Sequence, residues 1–380
     1  MIQRTACSRC SHPAADHGRS PHGERPTVED FGHRSDVLKR ANVIRFTVAA
    51  MAAVVALSVP LAPDAQPTAR PVKIGVLCAG GCPFSASTPR VDLGGLDRPL
   101  FDALERVGLV QGRSLVWDIG GVVASENQIN TEAVKLVSRR PDLILVWANN
   151  VAAARAAKDA THTIPIVLMA VPDAVEHGLV ASLARPGGNI TGTSVPLYDL
   201  TIKQLEVLKE INPRLKRIVV VHGELDRPDR QMMDRLRGAA ASLKLEVGIT
   251  VTDLRTDLRN VEQALAAAPA GASTVVTIGN IPTFVERRIR QLALERKLPL
   301  ISPWRSWGTG MTVIAYGPRF SAVAERTAAL VDRIVKGARP GDLPVEELTS
   351  YELVIDGVMA KALGLTIPPA VRARADQVLD

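Results

Sequence analysis

The chain has 380 residues, enough for two domains, and a net charge of +7 from 46 Lys and Arg against 39 Asp and Glu. Hydrophobic residues make up 46% of the chain but aromatic residues only 3%, so Ala, Val, Leu and Ile must build the core. That composition suits buried parallel strands flanked by helices. The basic residues are scattered and not interleaved with aromatics, which argues against a nucleic-acid-binding face.

The N-terminal region divides into two parts. Residues 1–42 are polar and aperiodic, which predicts a disordered or mis-annotated extension. Residues 43–66 contain the apolar run Phe46–Leu61, which follows basic residues and is too short for a comfortable membrane span. This order predicts a secretory signal peptide cleaved near Ala65, with a buried helix or a retained anchor as the alternative. One hypothesis is that translation begins near Val43.

The four cysteines bear on metal binding, disulfide formation and lipidation. Cys7 and Cys10 form a single CxxC in the extension, which is weak evidence for zinc, so we expect no metal site and no cofactor. Cys78 and Cys82 would remain after cleavage and either pair in an oxidising compartment or stay unpaired. No cysteine directly follows the apolar run, so we expect a periplasmic protein without a lipid anchor.

Apolar strands alternate with amphipathic helices from Pro71 onward. In the first half we predict strands at Val72–Leu77, Ser114–Ile119, Asp142–Val146, Ile164–Met169 and Ile190–Val195, with helices at Leu96–Val107, Asn130–Arg139, Val151–Ala160 and Val175–Arg185. In the second half we predict strands at Arg217–Val221, Glu246–Val251, Ser273–Ile278, Leu300–Ile301 and Val313–Ala315, with helices at Thr201–Ile211, Arg230–Leu243, Leu258–Ala267, Pro282–Glu295 and Ala322–Lys336. The alternation predicts an α/β fold of two Rossmann-like lobes with parallel sheets.

Ligands of open α/β sheets bind beyond the carboxyl ends of the strands, so the loops that follow the strands hold the candidate ligand-binding residues. In the first lobe these are Gly81, Ser85, Asn149, Asn150 and Asp173. In the second half they are Tyr198, Gly223, Glu224, Asn280, Trp304 and Tyr316. We expect one of the two asparagines to be a helix N-cap, while Asp173 either pairs with a ligand ammonium or is a loop or capping residue.

Motifs for catalysis are missing from the sequence. The chain contains no GxSxG, HExxH or GxxxxGK[ST] motif and no paired carboxylates suited to acid–base work, so we predict no catalytic residues. His162, His177 and His222 are distant in sequence, and we expect them at the surface. A binding protein is therefore favoured, and a secreted α/β enzyme is the weaker alternative.

Several segments carry a family resemblance. The central one is ASLARPGGNITG at Ala181–Gly192, preceded by TIPIV at Thr163–Val167 and followed near the end by AKALGLTIPP at Ala360–Pro369. Together with shorter matches these segments span about residues 71–380 and resemble the tryptophan-binding-like family of ABC transporter substrate-binding proteins. Relatives carry Gly-Thr-Pro, Gly-Asp-Pro and Asp-Pro where this chain has Ala148-Asn149-Asn150, Pro172-Asp173-Ala174 and Gly279-Asn280.

The resemblance implies a type I periplasmic-binding fold whose two lobes close by a hinge around a small organic solute, for which an amino-acid-like compound is a candidate. It places residues 67–195 with 319–343 in the N-terminal lobe and 196–318 with 344–380 in the C-terminal lobe. It implies an ABC permease and ATPase as partners, contact with the membrane only through the permease, and a monomer. A ligand sensor that reports to a membrane receptor is the alternative function.

Overall fold

The computed structural model describes residues 70–79, 98–123, 128–148, 150–222, 227–251, 258–278, 281, 283–302 and 312–380. The predicted extension at 1–42 and the signal peptide at 43–66 lie outside the described residues and stay predictions.

The strands and helices follow one another in the alternating order that the sequence predicts. The strands are β1 (Val72–Ala79), β2 (Leu115–Val123), β3 (Leu143–Val146), β4 (Ile166–Pro172), β5 (Ile190–Val195), β6 (Arg217–His222), β7 (Glu246–Val251), β8 (Ser273–Ile278), β9 (Leu300–Ser302), β10 (Ile314–Pro318), β11 (Val345–Glu347), β12 (Tyr351–Asp356) and β13 (Gln377–Leu379). The helices are α1 (Arg98–Arg106), α2 (Ile129–Ser138), α3 (Val151–Ala160), α4 (Leu197–Ile211), α5 (Arg227–Ser242), α6 (Arg259–Ala266), α7 (Thr283–Glu295), α8 (Phe320–Val335), α9 (Gly357–Ala362) and α10 (Pro369–Arg374).

The strands form two separate sheets, which confirms the predicted fold class. The first sheet has six strands in the order β11-β5-β4-β3-β1-β2, and every pairing in it is parallel. The second has seven strands in the order β13-β12-β10-β9-β8-β6-β7. Its pairings are parallel except that β12 runs antiparallel to β10. We call each sheet with its helices a lobe.

Aliphatic side chains fill the core of each lobe, as the composition requires. In the first lobe the buried face of α3 consists of alanines, whose small side chains let the helix lie close to the sheet. Helix α8 follows β10 of the second sheet in sequence, yet its buried face, including Val323 and Leu330, belongs to the core of the first lobe. The chain therefore returns to the first lobe after building most of the second.

Within the described residues the chain passes between the two lobes at three places. The first lies between β5 and α4 at Pro196, the second between β10 and α8 at Arg319, and the third between β11 and β12 at residues 348–350. Strand β11 pairs with β5 of the first sheet, although the sequence assigns residues 344–380 to the C-terminal lobe. The exact domain boundaries stay a prediction.

The helix predicted at Val175–Arg185 is wrong, because the chain forms turns there. Gly178 adopts a left-handed φ of 65°, and its N–H donates to the carbonyl of Val175 while the N–H of Leu179 donates to that of Ala174. This pair of bonds is a Schellman closure, which ends a helical turn as soon as it has formed. The periodicity of the apolar residues predicted a helix, but the glycine stops it after one turn.

The last residues of the Ala181–Gly192 segment are structural. Asn189 donates from its side chain to the carbonyls of Thr161 and Ile164, which fixes the loop before β4. Gly192 has a φ of 140°, and a Cβ there would lie 2.2 Å from the carbonyl oxygen of Leu168. Only glycine allows β5 to approach β4 this closely.

Replacing Gly192 by Ala should destabilise the protein by at least about 4 kcal/mol or prevent folding, because the Cβ meets backbone atoms that cannot move aside. Gly187→Ala is the matched control from the same segment. Gly187 also has a positive φ, of 70°, but has nothing within 4 Å of its Cβ position, so about 1–2 kcal/mol is expected. Urea denaturation measures both, and equal losses would contradict the close-approach argument.

Candidate functional site

The candidate site lies where the carboxyl ends of the first sheet meet the crossings between the lobes. Asp173 directly follows β4, Pro196 follows β5, and Glu347 is the last residue of β11. These three strands are neighbours in the sheet, so their carboxyl ends lie side by side. The first crossing between the lobes begins at the end of β5, and the third begins at the end of β11. The candidate site therefore lies at the hinge between the lobes.

The end of β4 is strained and held by β5. Ala170 and Asp173 adopt left-handed φ angles of 50° and 44°, which are costly for residues with a Cβ. The register of β4 with β5 shifts between Leu168 and Val171. The hydroxyl of Thr193 accepts from the N–H of Ala170 at 2.8 Å. The hydroxyl of Ser194 accepts from the N–H of Ala174 at 3.1 Å and donates to the carbonyl of Val171 at 3.0 Å. Two buried hydroxyls thus fix the direction in which Asp173 leaves the sheet.

Asp173 contacts the second lobe directly. Its carboxyl accepts a hydrogen bond from the N–H of Leu197, the first residue of α4, whose N-cap Pro196 makes no side-chain cap. Its own N–H donates to the carbonyl of Val195 at 3.0 Å. Asp173 therefore lies at the N-terminus of a helix of the opposite lobe, where its carboxyl can act as a cap. Its Oδ2 atom is buried and has no hydrogen-bond partner among the described residues.

Burial makes Asp173 a weak acid. Burial chiefly, and then the carboxylates of Glu176 and Asp199, raise the pKa of Asp173 to about 8, against the opposing effects of the Leu197 N–H and of Arg235. At neutral pH this carboxyl is mostly protonated.

Other acids near the crossings respond to the same negative charge. Partial burial, followed by Glu176 and Asp199, raises the pKa of Glu347. Partial burial also raises the pKa of Tyr351, with further contributions from Glu347, Tyr316 and Asp199. Asp199 thus raises the pKa of Asp173, of Glu347 and of Tyr351, which places these three groups around one electronegative region.

We call Asp173, Glu176, Asp199 and Glu347 the acidic cluster. They come from the turn after β4, the first turn of α4 and the end of β11, so both lobes contribute. Arg235 of α5 pairs with Asp199 at 3.0 Å, but both side chains are more than half exposed, so this ion pair is weak. The cluster therefore keeps a negative potential at the hinge.

A histidine forms a second link between the lobes. The Nε2 atom of His177, in the turn after β4, lies 3.7 Å from Oδ1 of Asp229 in the first turn of α5. Its Nδ1 atom lies 3.5 Å from Nη2 of Arg155 on α3. Both His177 and His222 are buried, so their predicted surface positions are wrong, whereas His162 is exposed as expected.

The other described candidates are Asn150, Tyr198 and Tyr316. Asn150 is buried as the N-cap of α3, with Oδ1 accepting from the N–H of Ala153 at 3.0 Å. Tyr198 is only 2% exposed and packs in the core of the second lobe. Tyr316 lies in β10 with its ring 5.7 Å from that of Tyr351, close to the second crossing. Of these candidates Tyr316 joins Glu347 and Asp199 in the electrostatic surroundings of Tyr351, while Asn150 caps a helix and Tyr198 packs in a core.

The remaining candidates are not described. Gly81, Ser85, Asn149, Gly223, Glu224, Asn280 and Trp304 lie outside the described residues, and their roles stay predictions. Cys78, at the end of β1, is disulfide-bonded. The described ranges contain no group of three or more His, Cys, Asp or Glu placed to hold a metal ion. In the same ranges no helix has the length and hydropathy needed to cross a membrane.

Sequence reasoning missed Thr193, Ser194 and three members of the acidic cluster. The hydroxyls stand in the predicted strand Ile190–Val195, where threonine and serine look like ordinary strand residues. Glu176, Asp199 and Glu347 are far apart in sequence, and no spacing signals that they share one region. The order of the strands, which brings the ends of β4, β5 and β11 together, is the information that was needed.

The chain is similar to known transport proteins along most of its length. A family model described as ABC transporter substrate binding protein matches residues 96–379. A protein named tyrosine-binding protein from Clostridioides difficile (strain R20291) is 29% identical over 267 residues, which cover 69% of this chain and 74% of that protein.

Two solved structures share the fold. One is a conserved domain protein from Vibrio cholerae O1 biovar El Tor strain N16961, with a TM-score of 0.70, 27% identity and coverage of 81% of this chain and 100% of the other. Another is an ABC domain in complex with L-Trp from Streptococcus pneumoniae, with a TM-score of 0.67, 21% identity and coverage of 80% and 100%.

The raised pKa of Asp173 predicts how stability depends on pH. The folded protein keeps a proton that the unfolded chain, with an ordinary value of 3.8, loses, so the wild type should lose stability as the pH rises from about 4 to about 8. Asp173→Asn keeps an acceptor for the Leu197 N–H and removes this titration. Its stability relative to wild type should rise by about 1.4 kcal/mol per pH unit within that window and level off above it.

Chemical denaturation between pH 5 and pH 9 measures the difference in the free energy of unfolding between Asp173→Asn and wild type. Asp234→Asn is the control, because Asp234 is an exposed carboxylate of α5 that pairs with Arg237. A difference between Asp173→Asn and wild type that stays constant with pH would contradict a protonated Asp173.

Proposed function

Because the chain belongs to the family of ABC transporter substrate binding proteins, we propose that it binds a small organic, amino-acid-like solute in the cleft between its lobes and delivers it to an ABC permease and its ATPase. The match of the family model to residues 96–379 is the observation that carries this function. The family and the matched relative are substrate-binding proteins rather than enzymes.

The architecture supports binding between the lobes. Both sheets are largely parallel, and ligands of such sheets bind beyond the carboxyl ends of their strands. Three crossings connect the lobes, and a few residues at such crossings can absorb the rotation of a hinge closure. Asp173 lies at the first crossing and contacts α4, so a ligand near it would meet both lobes.

An amino-acid-like ligand is the part of the proposal that draws on relatives. The matched relative from Clostridioides difficile is named a tyrosine-binding protein, and the related domain from Streptococcus pneumoniae was solved with L-Trp. The predicted ligand-binding residues outside the described ranges belong to the same proposed cleft. Periplasmic location, a signal peptide at residues 43–66 and a monomeric state complete the proposal.

A thermal-shift screen of the purified protein tests solute binding. The panel contains the common amino acids, aromatic acids, sugars and short peptides. A ligand present at 100 times its Kd should stabilise the protein by roughly 2.7 kcal/mol and raise the melting temperature visibly. Failure of the whole panel, repeated by calorimetric titration, would count against a small-solute binder, and a response to sugars alone would exclude an amino-acid-like ligand.

Export is tested separately. When the full chain is expressed in a Gram-negative host, osmotic shock should release it in a form whose N-terminus lies near Gln66, because the apolar run is removed on export. Fractionation and N-terminal sequencing measure this. Recovery of an uncleaved chain in the cytosol would contradict the predicted signal peptide.

A further inference from the structure

We propose that the second lobe carries a further small-molecule site, which takes a short alkyl chain ending in a carboxylate and lies at the edge of the second sheet opposite the proposed solute cleft. The site is the cavity between the end of α7 and α9, and we call it the distal cavity. It is a part of the surface that the proposed function does not use.

The distal cavity lies at the amino-terminal edge of the second sheet. Leu300 lines it and is the first residue of β9, which pairs in parallel with β8 and β10. Helix α9 begins at the same edge, because β12 runs antiparallel to β10 and places Ile355 opposite Ile314, the first residue of β10. Ligands of parallel sheets bind beyond the other, carboxyl-terminal edge. The distal cavity is therefore separate from the cleft.

The interior of the distal cavity suits a short alkyl chain. Its volume is about 170 Å³, below the roughly 300–1,000 Å³ of sites for drug-sized ligands. Among the described residues that line it, all but Arg290 and Gln291 are apolar. They include Leu294, Leu298, Leu300, Met359 and Leu363. Leu298 and Leu300 are buried, whereas Leu294 is 50% exposed, so an entering alkyl group would cover apolar surface that water now contacts.

Basic side chains give the distal cavity a preference for an anion. Arg290 lines it directly, and its guanidinium group offers a planar fork of donors that matches a carboxylate. Close by at the end of α7, Arg296 and Lys297 add exposed positive charge. Glu295 is the single acidic residue between 290 and 298, and it accepts a hydrogen bond from Gln291 at 2.8 Å. An apolar cavity beside this excess of positive charge fits an anionic amphiphile.

Methyl NMR of the purified protein tests the site, with sodium butyrate, hexanoate and octanoate as probes. Met359 lines the cavity and is the reporter, while Met169, buried in the core of the first lobe, is the internal control. We expect hexanoate to shift the Met359 signal saturably and to leave that of Met169 unchanged. The affinity should rise about fourfold for each CH₂ group added from butyrate to hexanoate and level off once the cavity is full. Hexanol, which lacks the charge, should bind about tenfold more weakly than hexanoate.

Two variant pairs locate the ligand. Leu294→Gln alters an exposed apolar wall and should weaken hexanoate binding at least fivefold, while Val134→Gln, at a 62% exposed position on α2, should match wild type. Arg290→Met keeps an apolar stem without the charge and should lower the affinity for hexanoate to that for hexanol. Arg288→Met is the control on the same helix, because Arg288 pairs with Glu262 of α6 at 3.0 Å.

Four outcomes would overturn the inference. A Met359 signal that none of the three acids shifts saturably would remove the site. Equal affinities for hexanoate and hexanol would exclude an anionic head group, and an unchanged affinity in Leu294→Gln would place the ligand elsewhere. Binding to phosphatidylglycerol vesicles without binding of the free acids would replace the small acid by a membrane surface. The solute screen of the cleft stands apart from all four, since Met359 reports the distal cavity.

Discussion

The close approach of β5 to β4 at Gly192 is the constraint on which the candidate site depends. Since no Cβ separates the two backbones there, the Thr193 and Ser194 hydroxyls reach the end of β4 and hold it in an unusual conformation. The two left-handed residues, Ala170 and Asp173, cost energy that this network offsets. As a result, the carboxyl group of Asp173 lies at the start of α4 in the second lobe.

The position of Asp173 between the lobes also determines its protonation state. Asp173 replaces the side-chain cap that Pro196 cannot provide, and in doing so becomes buried near other carboxylates. A helix N-terminus by itself favours an ionised carboxylate, but here burial is the larger effect and keeps the proton bound. Asp173 therefore joins the first lobe to the start of α4 in the second lobe.

Much of the fold could be read from the sequence because strand and helix patterns are local. Val151–Ala160, Ile190–Val195 and Ser273–Ile278 occupy the predicted residues, since each combines a clear apolar pattern with a clear end signal. The prediction failed at Val175–Arg185, where the apolar spacing was helical but Gly178 closed the turn early. The return of α8 to the first lobe was expected only through the family resemblance, because the helix pattern itself does not say which sheet it covers.

The amino-acid sequence was sufficient for the alternation of strands and helices, the aliphatic cores and the family, and it made Asp173 a candidate that stays a prediction. These follow from composition, periodicity and a specific motif, all of which are local properties. The three-dimensional fold was needed to show that Glu176 and Asp199 act on both Asp173 and Glu347, that Asn150 caps α3 while Tyr198 packs in a core, and that His177 is buried beside Asp229 of the second lobe. Strand order and chain crossings bring distant residues together, and the charge that each one feels depends on that arrangement rather than on its neighbours in sequence.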